Sequence, residues 1–350
     1  MGSSLFRITD YVIGQYYVFE AVENYFRGTS QISRINMPIM TDSTAISQAL
    51  ISGQISTATT SIPPETINEF EAAGNLDILS GRGFSPTFLQ FNTENEILRD
   101  PAFRRALGFA LDIPEMIDAV MLGFGIVGLP GFYTDDMPQA RVDLQYTYDP
   151  ALASSILEEL GYSEQNSDGI RLMNGEPISF DILVQSGNIA RLRAAELISA
   201  YLKDIGIQVN VVSMESDTLD TLVWPDFDVS LGRDFDMAMW GWSAPVQLNP
   251  ASIVRLGMSD HTIGDLNIGG LSCPIFDELS RAYLSTSNAT ERDEISLELQ
   301  ERIAYLAPFI NLWYDNLNFA VNTSHYGDWQ FQTGIGVINR FSFLPYWVKS

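Results

Sequence analysis

The chain has 350 residues with 19 basic and 44 acidic side chains, a formal net charge of −25, and 46% hydrophobic residues. That apolar content excludes wholesale disorder, and the length predicts about two domains. Only Lys203 and Lys349 are lysines and no basic cluster occurs, so binding to nucleic-acid phosphates is excluded, and an anionic membrane surface would repel the chain.

The single cysteine, Cys273, excludes an intramolecular disulfide and cysteine-based zinc or iron–sulfur sites. No apolar run reaches the roughly 18 residues that a membrane-spanning helix needs. The first residues, Met1 to Phe6, lack the basic start and apolar core of a signal peptide.

In chain order, Asp42 followed by Thr44, Ala45, Ile46, Ala49 and Leu50 predicts a short capped helix stopped at Gly53. Pro64 to Ala73 reads the same way and stops at Gly74. Two helices between Pro101 and Leu122 meet at Asp112, whose spacing to Glu115 is that of a capping box. Gly123 to Tyr148 lacks regular patterning, as a functional loop often does. Asp149-Pro150 opens another helix, and Gly161 ends it. Ile178, Phe180, Ile182 and Val184 alternate as a strand, and Leu192 to Ile205 carries a helical apolar face. Val209 to Met214 is a further strand, so the three form a parallel strand–helix–strand unit. Phe235 to Trp240 is another strand, ending at Gly241-Trp242. Ligands of open α/β sheets sit beyond the carboxyl ends of strands, which places Gly241-Trp242 near a site. Leu248 to Pro274 is a second irregular stretch; Thr290 opens a long acidic helix, and Phe309 to Val321 reads as a strand.

The sequence marks no catalytic constellation. His261 and His325 have no partner at metal-ligand spacing, and no nucleophile elbow, P-loop or dinucleotide fingerprint occurs. Asp226, Asp228, Asp234 and Asp236 do not fit a calcium loop, and no cofactor or metal is expected. Paired carboxylates of a glycoside hydrolase are unmarked among the 44 acids. Trp240 and Trp242, flanking Gly241, either pack into the core or line a cleft, and strand alternation predicts that they face opposite ways.

Several segments together resemble the solute-binding proteins of ABC importers, in the dipeptide, oligopeptide and nickel class (extracellular solute-binding proteins, family 5). They are Gly14-Gln15-Tyr16-Tyr17 with Glu23-Asn24-Tyr25-Phe26-Arg27-Gly28, then Ala49 to Ile55, then Phe91-Asn92 with Asp100 and Phe103-Arg104-Arg105-Ala106-Leu107. Asp149-Pro150 to Tyr162, Leu202 to Ile207, and Phe235-Asp236-Met237 with Gly241-Trp242 follow in the family's order. The resemblance covers about 330 residues of the chain and the C-terminal two-thirds of typical members.

It implies an α/β, bilobed, periplasmic-binding-protein-like fold (type II, cluster C), truncated at the N-terminus, with residues 1–95 plus 311–350 as a partial first lobe and 96–310 as a continuous second lobe. The implied function is capture of a small solute, a peptide or oligosaccharide, between two lobes and delivery to an ABC permease, without chemistry on the ligand. A periplasmic or cell-surface location, lipid-anchored in the full-length form, and a monomer follow from the same resemblance. Gly241, Trp242 and Ser243 inherit the ligand-contact role, with Trp240, Asn92 and Tyr133 added. Peptide-binding members carry an aspartate three residues after the Gly-Trp tryptophan, where this chain has Pro245. A buried ammonium without a carboxylate is costly, which favours a neutral ligand or a peptide anchored differently. The alternatives are a carbohydrate-active enzyme with paired carboxylates, or a non-binding truncated relic.

Overall fold

The computed structural model describes residues 4–242, 251–260, 263–324 and 326–344. The chain divides into two compact units, Met1–Gly83 with Asn316–Ser350, and Phe84–Asp315.

In the first unit, strands β1 (Phe6–Val12), β2 (Tyr16–Ala21) and β3 (Arg34–Pro38) form an antiparallel sheet in that order. Register puts Ile8, Phe19 and Ile35 side by side, and Tyr11 beside Tyr17 and Met37. One face of this sheet is therefore apolar, and Tyr11 stacks on Tyr17 at 5.9 Å. Helix α1 (Ser43–Ile51) starts where Asp42 accepts a hydrogen bond from the Ala45 amide at 2.7 Å. Helix α2 (Ile67–Ala73) stops at Gly74, whose φ of +73° is the left-handed value glycine adopts freely. Strand β4 (Leu76–Phe91) then carries the chain into the second unit.

The second unit continues with α3 (Pro101–Phe109), α4 (Ile113–Met121), β5 (Gly125–Val127), α5 (Pro150–Glu159), and the hairpin β6 (Leu172–Met173) and β7 (Glu176–Pro177). There follow β8 (Ser179–Gln185), α6 (Ile189–Asp204), β9 (Gln208–Met214), α7 (Ser216–Val223), β10 (Met237–Gly241), α8 (Ser252–Gly257), α9 (Pro274–Ser285) and α10 (Ala289–Leu306). Strand β11 (Phe309–Asn322) returns to the first unit, which ends with α11 (Arg340–Phe343).

A six-stranded mixed sheet runs in the order β5-β11-β4-β10-β8-β9. β8, β9 and β10 are parallel, whereas β4 runs antiparallel to β10. The strand–helix–strand unit read from the sequence is β8–α6–β9. β8 and β10 are apolar on both faces, as strands packed on both sides are. Phe180, Ile182, Val184, Met237 and Met239 pack with Ala194, Ala195, Ile198 and Leu202 of α6. Leu183, Ala238 and Trp240 point the other way, into a core with Ile253, Phe276 and Leu299. Each large apolar side chain so buried contributes about 1.5–3 kcal/mol.

The unpatterned stretch after Gly123 contains the short edge strand β5, paired with β11 through Trp313↔Val127. The acidic helix α10 begins at Asn288, whose side chain caps the Thr290 amide at 3.0 Å. Its cap thus lies two residues before Thr290, the start read from the sequence, because an asparagine accepts the first amide hydrogens as well as a threonine does.

Candidate functional site

The carboxyl end of β10 is built by register. Gly241 is its last residue and faces Thr87 of β4. Pro86 comes next on β4 and has no N–H to offer, so the ladder stops there. A Cβ at position 241 would collide with Nη2 of Arg191 and lie 2.7 Å from the Pro86 carbonyl oxygen. Glycine at 241 is therefore what lets the Arg191 guanidinium lie against the strand end.

Arg191 sits in the first turn of α6, which Asn188 caps through the Arg191 amide at 3.0 Å. Its Nε is buried and makes no hydrogen bond. Desolvation lowers the guanidinium below its ordinary pKa, and the charge of Asp315 opposes that shift. Asp315 lies on β11 and accepts one hydrogen bond, from Nε1 of Trp313 at 2.9 Å. Burial raises its carboxyl above the usual range, while Trp313 and Arg191 pull it back.

The opposite face of the strand end is aromatic. Trp240 and Trp242 meet edge to face at 5.9 Å, Trp242 and Trp224 at 4.9 Å, and Trp224 and Phe227 at 5.0 Å. The two β10-end rings thus meet rather than face opposite ways. The expectation fails because residues two apart on a strand line the same face, so period-two alternation itself brings Trp240 and Trp242 together. Asp226 and Phe227 both take left-handed backbone, with φ of +51° and +59°. Such conformations cost about 1–2 kcal/mol per residue, and here they carry an exposed Phe227. The Nε1 atoms of Trp224, Trp240 and Trp242 are buried without hydrogen-bond partners. Together with Arg191 Nε, four donors stand unsatisfied around Gly241. A buried polar group left unpaired costs about 1–3 kcal/mol.

The remaining sequence candidates lie elsewhere. Asn92 donates to the Phe235 carbonyl at 2.9 Å and accepts from the Glu94 amide at 3.0 Å, which fastens the far end of β4. Tyr133 is buried against α10, where its hydroxyl and that of Ser296 share a hydrogen bond at 2.5 Å. Burial pushes the Tyr133 phenol up to about 12. Ser243 lies outside the described residues, as do Ala244, Pro245, His261 and His325. Asp236 accepts from the Asn95 side chain at 2.9 Å and the Asp181 amide at 3.0 Å, and Asp228 accepts from the Ser230 amide at 2.9 Å. Among the described residues no group of three or more His, Cys, Asp or Glu is placed to hold a metal. No described helix is long and apolar enough to cross a membrane.

Sequence reasoning missed Arg191, Trp224 and Asp315. Arg191 had a signal, being an arginine at the start of the helix that follows a parallel strand. Asp315 had another, as the one ionisable carboxyl in the apolar run Phe309 to Val321.

Known proteins share this arrangement of elements. The Listeria monocytogenes ABC transporter substrate-binding protein CtaP aligns over 98% of this chain and 66% of its own, with a TM-score of 0.84 and 22% identity. The oligopeptide-binding protein AppA of Bacillus subtilis is 26% identical over 327 residues, covering 92% of this chain and 58% of that protein. Heme-binding protein A of Haemophilus influenzae is 26% identical over 321 residues, covering 89% and 54%. The chain thus spans a little more than half the length of these curated relatives. Residues 1–261 match the sequence model of bacterial extracellular solute-binding proteins, family 5 Middle. By that match the chain belongs to family 5 of the bacterial extracellular solute-binding proteins.

Proposed function

We propose that this protein captures a small solute at the carboxyl end of β10 and passes it unaltered to an ABC permease outside the cytoplasm. In this reading it is a binding protein and not an enzyme, and the two compact units are its two lobes. The observation that carries the reading is the set of four unsatisfied donors around Gly241. Rigid indole rings supply contact area, and the free N–H groups call for a ligand rich in acceptor oxygens. A peptide meets that demand through its carbonyls and terminal carboxylate, and the name of the Bacillus relative points to the same class. Arg191 receives the carboxylate.

Thermal unfolding of the whole chain tests this against a randomised tripeptide mixture and against maltotriose. A ligand at 100 times its Kd stabilises the folded state by about 2.7 kcal/mol, so one class should raise Tm by several degrees. Trp242→Ala should abolish that rise. Stabilisation by neither class, or a rise that survives the substitution, removes the site from consideration.

A further inference from the structure

Strand β9 closes one side of the six-stranded sheet and, among the described residues, has β8 as its one strand neighbour. The Gln208 amide donates to the Ile178 carbonyl at 3.1 Å, and the Met214 carbonyl accepts from the Ser186 amide at 2.8 Å. In a parallel ladder alternate residues turn their backbone toward the neighbour. Gln208, Asn210, Val212 and Met214 therefore bond β8, and Val209, Val211 and Ser213 turn their N–H and C=O groups outward. The Val209 carbonyl accepts from the Ser199 hydroxyl at 2.9 Å, as that direction requires. Edge strands are ordinarily blunted by a charge, a proline or a bulge. Here the register with β8 runs unbroken from Gln208 to Met214, and Ile205 to Met214 holds no charged residue and no proline, in a chain of charge −25. Opposite charges stand at the two ends: exposed Lys203 in the last turn of α6, and exposed Glu215 just after β9. Between α6 and the start of β9 lies a groove of about 390 Å³, lined by Asp168, Ile170, Ser199, Lys203, Gln208 and Val209.

We propose that this edge joins a second copy of the chain, β9 against β9, antiparallel about a two-fold axis at Val211, in place of the monomer that the family resemblance implies. The outward residues are self-complementary in that register. Val211 faces its own copy, Val209 faces the partner's Ser213, and each such pair exchanges two hydrogen bonds. The same register sets Gln208 against the partner's Met214, so the partner strand leaves across the groove and brings its Glu215 to Lys203. A parallel alignment would instead set Lys203 beside Lys203 and Glu215 beside Glu215, which like charges disfavour. The net charge of both copies opposes their approach, as does exposed Glu196, one turn before Ser199 on the same flank of α6. Salt screens that repulsion while the backbone bonds persist, so the pairing strengthens with ionic strength. None of this depends on what the β10 end binds.

The test is sedimentation velocity of the whole chain from micromolar to near-millimolar concentration. The mass should climb from 38.9 kDa toward twice that value, and further in about 0.5 M than in about 0.05 M NaCl. Ser213→Pro removes an outward N–H and leaves the β8 ladder whole. It should stay a monomer throughout, with the circular dichroism of the parent. Lys203→Glu and Glu215→Lys are exposed changes that test the register without touching the strand. Each alone should weaken the dimer at least about fivefold, since two-fold symmetry applies the change twice. Combined, they should restore it, a rescue that damage to the fold cannot give. Deuterium exchange of Ile205–Met214 should slow as protein concentration rises. A mass of 38.9 kDa at every concentration and salt overturns the proposal. So does a dimer that correctly folded Ser213→Pro leaves intact, or one that the double reversal fails to restore. Exchange that slows only when a strand-forming peptide is added to the monomeric chain assigns the edge to a peptide partner and overturns the second copy.

Discussion

At position 241 a single hydrogen in place of a side chain decides what the neighbourhood can do. It gives the guanidinium of Arg191 a resting place against the backbone, and the charge of that guanidinium is felt by the carboxyl of Asp315. The carboxyl has a measurable signature without any ligand. It holds its proton more tightly in the folded chain than in the unfolded one. Its contribution therefore favours folding at low pH and is lost as pH rises from the ordinary carboxylate range through the raised value. Asp315→Asn removes that loss. The variant should unfold at the same temperature as the parent near pH 3 and at a higher one near neutrality, read by calorimetry across pH. A difference that shrinks as pH rises would contradict the burial assigned to this group.

Among the elements, local signals were legible and distant ones were not. The helices that announced themselves did so through caps: Asp42, Asp112 and Asp149 each accept the amide three residues on, at 2.7, 3.0 and 2.8 Å. The β8–α6–β9 unit was legible because the strand and helix periodicities both lie within about forty consecutive residues. β4 was illegible although it is the longest strand, with 16 residues. Gly81, Gly83, Ser85 and Pro86 interrupt its pattern, and it is held by partners more than a hundred residues away. The site divides the same way. Gly241-Trp242 was readable as a strand end, whereas Arg191 reaches it from α6 only through tertiary packing. One family-motif residue turned out to be architectural. Arg104 of α3 is almost wholly buried and donates to the carbonyls of Leu98, Leu306 and Ala307, closing the end of α10. Desolvation lowers it to about 10. Arg104→Met should cost about 3 kcal/mol or more, since buried carbonyls lose their donor. Urea unfolding would measure it, and a change below about 1 kcal/mol would refute the clamp.

On the scale of the whole molecule, the charge of −25 sets what can approach. A field of that sign repels a free anion at long range, more so at low ionic strength. A peptide without net charge meets no such barrier, so an arginine can hold its terminal carboxylate at close quarters inside an acidic protein. The crowding of indoles at one place has an optical consequence. Of the six tryptophans, Trp224, Trp240 and Trp242 share one edge-to-face chain and Trp313 bonds the Asp315 carboxylate. Most of the ultraviolet emission of the unlabelled chain therefore originates within a few ångströms of the place where a guest would rest. Its colour and brightness should shift in step with occupancy, and should stay unchanged when Trp242→Ala protein is titrated: the molecule carries its own dye.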